Sequence, residues 1–174
     1  MKNIFKKFNK VGKVGDKRGF TLIEILVVIG IIAILATIVI IAINPARQFA
    51  QARNTQRTSN VNSILNAIGQ NIADNKGQFT CQGTVTAIPV AVATMTKAGG
   101  FDVRPCIWST YIPEVPVDPT LGNNTCSNDA TCSTGTYDTG YTVEKNSVTG
   151  RVTVCAPAAT ETGILNASST CVTR

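Results

Sequence analysis

The sequence predicts an α+β chain. A long N-terminal helix, membrane-crossing in its first half and amphipathic in its second, packs on a small antiparallel β-sheet head. Three observations predict it. Ile25–Ile43 is apolar but for Gly30 and Thr37. An apolar stripe at helical spacing follows between Val61 and Ile72. All six cysteines then fall in a remainder rich in Gly, Thr, Ser and Asn with short β-prone runs.

Residues 1–19 form a basic leader with no core-forming pattern, expected to be a processing segment. Of the chain's 16 Lys and Arg, seven lie here (Lys2, Lys6, Lys7, Lys10, Lys13, Lys17 and Arg18) against one of its ten acids, Asp16. That excess is the whole formal charge of +6; the nine cations and nine acids that remain cancel. The basic pI is therefore a property of the leader, and nucleic acid is not an expected partner.

Residues 20–44 hold the oily segment. From Phe20 to Ile43 a helix is about 36 Å long at ~1.5 Å per residue, enough for a hydrocarbon core of about 30 Å. The many Ile and Val would suit a strand in water, but in lipid the backbone must satisfy itself and helix wins. Lys and Arg before the span stay cytoplasmic, so residues beyond 44 face outward. An ordinary signal peptide is cut after its oily region. Here the junction of interest, Gly19-Phe20, precedes it, and cleavage there would leave a membrane anchor with a new amino terminus.

Glu24 is the anomaly in this segment. An acid at a helix centre costs ~2.5–3.5 kcal/mol on translocon scales, less nearer the end. Two readings of its residues stand side by side. In one, Glu24 accepts the α-amine of Phe20 from a neighbouring copy and fixes the register of otherwise featureless helices. In the other it caps its own helix start, where the dipole favours an acid.

Asn44-Pro45 marks a break or kink, and residues 45–75 continue as an amphipathic helix, giving one long helix over about 20–75. Val61, Ile64, Leu65, Ile68 and Ile72 fall on one face, which a sheet from the rest of the chain must cover. Arg47, Arg53 and Arg57 precede the stripe on a more polar portion.

Residues 76–174 are the expected head. Strand candidates are Thr84–Thr94 (interrupted by Pro89), Ile107–Ile112, Tyr141–Lys145 and Arg151–Cys155, the last two joined by a hairpin connection at Asn146–Gly150. Asp118–Gly140 reads as loop. Cys81, Cys106, Cys126, Cys132, Cys155 and Cys171 are even in number with no Cys-x-x-Cys spacing. They indicate three disulfides in an oxidising compartment. Of the fifteen pairings possible for six cysteines, the reading leans to Cys81–Cys106, Cys126–Cys132 and Cys155–Cys171. The absence of histidine excludes His bases, Ser-His and Cys-His nucleophile pairs and Cys/His zinc sites. No enzyme is expected.

Gly19-Phe20-Thr21-Leu22-Ile23-Glu24 followed by the oily helix resembles the processing and assembly signature of type IV pilins and pseudopilins, over about residues 17–70. The resemblance implies a pilin-like fold, cleavage between Gly19 and Phe20 by a prepilin peptidase, and N-methylation of Phe20. It implies that Glu24 is the assembly glutamate that pairs with a neighbour's amino terminus. The partners it implies are other copies of the chain, the peptidase and an inner-membrane assembly platform. The location it implies is a single pass of the cytoplasmic membrane, then an extracellular or periplasmic filament. Phenylalanine after the cut is type IVa-like, while the leader is longer than usual there. Val115-Pro-Val-Asp118-Pro119 resembles a turn in some pilin heads. Many filament-forming pilins carry a proline midway along the membrane helix; here none lies between Phe20 and Asn44, which leaves Gly30 for any local melting.

The expected function is that of a structural pilus or related filament subunit. The alternatives are a type II secretion pseudopilin, a minor or competence pilin engaged in DNA uptake, and a membrane-anchored binding domain that never polymerises. No cofactor is expected, although Asp118, Asp129 and Asp138, with Asn123, Asn124 and Asn128, offer oxygens to calcium. They lack the Asp-x-Asp-x-Asp-Gly arrangement, so a solvated disulfide loop is the favoured reading. Asn123-Asn-Thr and Asn166-Ala-Ser fit a glycosylation pattern and read as loop chemistry. Trp108, Tyr111, Tyr137 and Tyr141 are candidates for an adhesive surface, against the commoner outcome of burial in the head.

Overall fold

A computed structural model describes residues 19–126, 132–161, 164 and 168–174. The chain divides into two units, one ending at Asn44 and one spanning Pro45–Arg174.

The first unit is helix α1, Leu22–Ala42. Its 21 residues span about 31 Å at ~1.5 Å each. Every residue from Leu22 to Ile41 is exposed in the single chain, and that stretch is long and apolar enough to cross a membrane. Its one hydroxyl is satisfied within the helix, because Thr37 Oγ1 donates to the Ala33 carbonyl at 2.8 Å. The side-chain donor is thus paired, as an apolar surrounding would require.

The helix does not run unbroken to residue 75. It stops at Ala42, and α2 begins at Pro45 and ends at Asp74. Proline lacks the N–H that a continuing helix needs, yet it is well suited to a first helical position. At the far end Lys76 (φ 57°) and Gly77 (φ 88°) turn left-handed, and Gly77 N–H bonds the Ile72 carbonyl at 2.8 Å, a glycine-type stop.

In the second unit α2 lies on an antiparallel sheet in the order β3-β5-β6-β7 (Ala93–Thr96, Tyr137–Lys145, Val152–Ala156, Thr170–Thr173), with β4 (Asn123–Asn124) also pairing β5. A two-stranded ribbon of β1 (Thr80–Cys81) and β2 (Thr84–Val85) stands apart. Alternation along β5 and β6 sends Tyr137, Tyr141, Val143, Val152 and Val154 inward. They meet Val61, Ile64, Leu65 and Ile68 of α2, all at most 2% exposed. This is the expected stripe, with Ile72 half-buried at its end. The β5–β6 connection is held by Asn146, whose Oδ1 accepts from Val148 N at 2.9 Å and Thr149 N at 2.8 Å.

Several expectations are corrected. Ile107–Ile112 is no strand: α3 (Arg104–Ile107) occupies its start, and a single bridge joins Trp108 to Ile112. Thr84–Thr94 yields only β2 and the first residues of β3, because Pro89 cannot donate to a ladder. Asp118–Gly140 is not all loop, since β4 and the start of β5 fall within it. Arg57 is not on a polar portion of the helix. It is 0% exposed, four residues before Val61 on the packed face.

Candidate processing and assembly site

The Gly19–Phe20 junction lies in non-helical backbone immediately before α1. Thr21 (φ −83°, ψ 151°) is the N-cap. Its Oγ1 accepts Glu24 N–H at 3.3 Å, and Thr21 N–H reaches back toward Glu24 Oε2 at a long 3.5 Å. This is a capping box, which satisfies two of the donors that a helix start leaves unpaired. The capping reading of Glu24 is thus realised in the isolated chain. It does not exclude the pairing reading, because the carboxylate holds only one long hydrogen bond and lies on an exposed face. Phe20 is 79% exposed, and a Cβ on Gly19 would meet nothing within 4 Å. Among the described residues, then, nothing crowds the junction at Gly19.

In the head the disulfides join Cys81 to Cys106, Cys126 to Cys132 and Cys155 to Cys171. The first is tied to α2 by Asn71, whose Nδ2 donates to the carbonyls of Thr80 and Cys106 at 2.8 Å each, while its Oδ1 accepts Thr80 N–H at 2.8 Å. The third links paired residues of β6 and β7.

Two of the calcium candidates, Asp118 and Asp138, are engaged by protein donors. Asp118 Oδ2 accepts Arg57 Nε–H at 2.6 Å, and its Oδ1 accepts from Arg57 Nη2 at 3.2 Å, Thr120 N at 2.8 Å and Leu121 N at 3.0 Å. Its acceptors are filled by protein donors rather than open to a cation. Asp138 Oδ1 is engaged by Gly140 N at 2.8 Å. Asp129 and Asn128 lie outside the described residues, as do Asn166 and residues 1–18 of the leader. Among the described residues no three His, Cys, Asp or Glu side chains group as metal ligands.

What the sequence did not reveal is the cluster around Arg57. Arg57 donates also to Asn54 Oδ1 at 2.7 Å, Thr120 Oγ1 at 2.8 Å and Glu161, which Arg53 grips as well. Burial pushes the Asp118 carboxyl up, but the hydrogen bonds from Arg57, Thr120 and Leu121 outweigh it and hold the group at about 2. Glu161 is held at about 2 chiefly by Arg53. The signal available was positional: Arg53 and Arg57 are four apart and lead by four into Val61 on one helix face.

The aromatic candidates mostly serve the interior. Tyr141 is 0% and Tyr137 2% exposed, and burial pushes both phenols up. Trp108 and Tyr111 are half-buried against the core, with the Arg104 guanidinium 4.8 Å from the Trp108 ring centroid.

A family model described as the prokaryotic N-terminal methylation motif matches residues 15–40. The chain therefore carries the type IV pilin and pseudopilin signature across the junction and most of α1. The head lies outside the match. No curated protein and no solved structure matches the chain.

Proposed function

We propose that this chain is a structural subunit of a type IV pilus or a related filament. A prepilin peptidase removes the leader after Gly19, Phe20 is N-methylated, and α1 packs against the α1 helices of other copies to form the filament core. An inner-membrane platform carries out assembly, and the disulfide-linked head is displayed outside the cytoplasm.

One observation carries this reading. Glu24 is the single acid of a fully exposed apolar span, in its first turn and four residues from the amine that cleavage would create. That amine lies in the non-helical backbone ahead of α1, and a neighbour shifted along the axis brings its amine to this carboxylate. A buried ion pair of that kind fixes register among helices that are otherwise alike. The head favours a structural role over DNA capture. Arg57 and Arg104 are at most 1% exposed and ion-paired, while affinity for DNA grows with the phosphates that exposed cations neutralise.

The test is Glu24→Ala in cells that assemble filaments, with mass spectrometry of the mature chain. The expected wild-type mass is leader-free with one added methyl and six hydrogens fewer. Glu24→Ala is expected to be cleaved but absent from sheared filaments. A non-polymerising anchored protein would be indifferent to the change, and that outcome defeats the proposal.

A further inference from the structure

Between the junction and α1 stands one side chain whose role the assembly reading leaves unassigned, Thr21. We propose that Thr21 is a positioning residue for leader removal: by starting α1 at Leu22 it keeps the backbone around the Gly19–Phe20 bond extended, so that a peptidase can take it as a strand. This rests on the processing step proposed above. In that step water's oxygen is added to the Gly19 carbonyl carbon, the amide bond breaks, and the proton-bearing nitrogen leaves as the α-amine of Phe20.

Three observations meet here. Gly19, Phe20 and Thr21 are exposed and outside the helix, the helix begins at the Thr21 cap, and among the described residues a Cβ on Gly19 would meet nothing within 4 Å. The first helical hydrogen bond runs from Ile25 N–H to the Thr21 carbonyl at 3.3 Å, one residue too late to engage the carbonyl of Phe20 and two too late for that of Gly19. The methylation-motif match spans the same bond. If the helix grew back by two residues, the Gly19 carbonyl would accept from Ile23 N–H. The scissile group would then be tied into a helix, whereas extended peptides are recognised through free main-chain donors and acceptors. Alanine, the best interior helix former and a poor cap, favours that growth. Serine and asparagine are caps of equal or better quality but different shape.

The experiment is pulse-labelling of the full chain in cells expressing a prepilin peptidase, following conversion of precursor to mature form for wild type, Thr21→Ser, Thr21→Asn and Thr21→Ala. Thr21→Ala is expected to be processed about five-fold more slowly, the factor that loss of a typical N-cap corresponds to. Thr21→Ser and Thr21→Asn are expected to stay near the wild-type rate. Wild-type processing of Thr21→Ala overturns the proposal. So does slow processing of all three Thr21 variants, which would mean that the peptidase reads the threonine shape itself. An uncleaved wild-type chain overturns the processing step of the assembly reading, and this inference with it.

Discussion

Arg57 on α2 grips Asp118, in the loop before β4, through Nε–H to Oδ2 at 2.6 Å and Nη2–H to Oδ1 at 3.2 Å, and neither side chain is exposed to solvent. The pair joins residues 61 apart in sequence, so it fastens the helix to a loop that has little apolar surface of its own. Truncating one partner of such a pair leaves a buried charge uncompensated, at about 3–5 kcal/mol. Arg57→Ala is therefore expected to lower the unfolding free energy by about that amount, read by urea denaturation of the full chain in detergent. Arg57→Met combined with Asp118→Leu should recover most of it, since no charge is then left alone. A single-variant loss below about 1 kcal/mol, the range of solvent-exposed pairs, would contradict the burial argument.

The same pair sets an acid limit. Asp118 is held at about 2 in the folded head against an ordinary 3.8. A depressed folded value contributes stability that is present above the unfolded pKa and is lost as pH falls through the folded one. The contribution is full above pH 4 and disappears between about 4 and 2. It amounts to about 2 kcal/mol at ~1.4 kcal/mol per unit. Glu161, lowered from 4.5 to about 2 by Arg53, acts in the same window and direction. Thermal melts from pH 6 to pH 2 should show wild type losing stability mainly below pH 4. Asp118→Asn should start less stable and lose less over that range.

These two residues also mark where sequence reading stops. The α2 stripe was legible because apolar residues at helical spacing have one physical explanation, and Val61–Ile72 packs on β6 and β7 as that spacing requires. The β5–β6 hairpin was legible for a similar reason, since Asn146–Gly150 separates two alternating runs. Arg57 was not, because a cation on a helix face usually points to solvent, and only a partner distant in sequence makes its burial tolerable. Strand β7 was missed because Thr170–Thr173 is short, and its pairing to β6 is a long-range contact that local pattern does not report. The α3 turn defeated its β-prone composition through tertiary context. At the junction the sequence reading weighed Glu24 as a cap of its own helix but missed Thr21 as its reciprocal partner, although Thr-x-x-Glu at 21–24 is a capping signature.

Gly140 offers a steric test of how closely the Asp118 loop is seated. It lies within β5 at φ 71°, and a Cβ there would come within 2.8 Å of the Asp118 Cβ. Alanine would meet both a left-handed backbone, costing ~1–2 kcal/mol, and a contact that forces the loop outward. Gly140→Ala should therefore destabilise the head by more than the backbone cost alone, and it should weaken the Arg57–Asp118 pair. Combined with Asp118→Asn, its effect should be less than additive, the mark of coupled neighbours. Additive losses in urea titrations would show that the loop yields without disturbing the pair.

Glutamine at residue 24 separates the two roles that the carboxylate can play. In the capping box the side chain of residue 24 need only accept from Thr21 N–H, and glutamine does this as well as glutamate. Helix α1 should then start at Leu22 as before and leader removal should proceed. What glutamine lacks is the charge that would hold a neighbour's α-amine. In hydrocarbon that amine, left without an anion, carries a desolvation cost that a neutral amide offsets poorly. Glu24→Gln is accordingly expected to be cleaved at the wild-type rate and yet to reduce filament yield at least ten-fold, the factor that ~1.4 kcal/mol represents. Glu24→Asp keeps the charge on a shorter arm and should fall between the two. If Glu24→Gln assembles as well as wild type, the carboxylate serves its own helix alone, and the register of the stacked helices has to come from elsewhere.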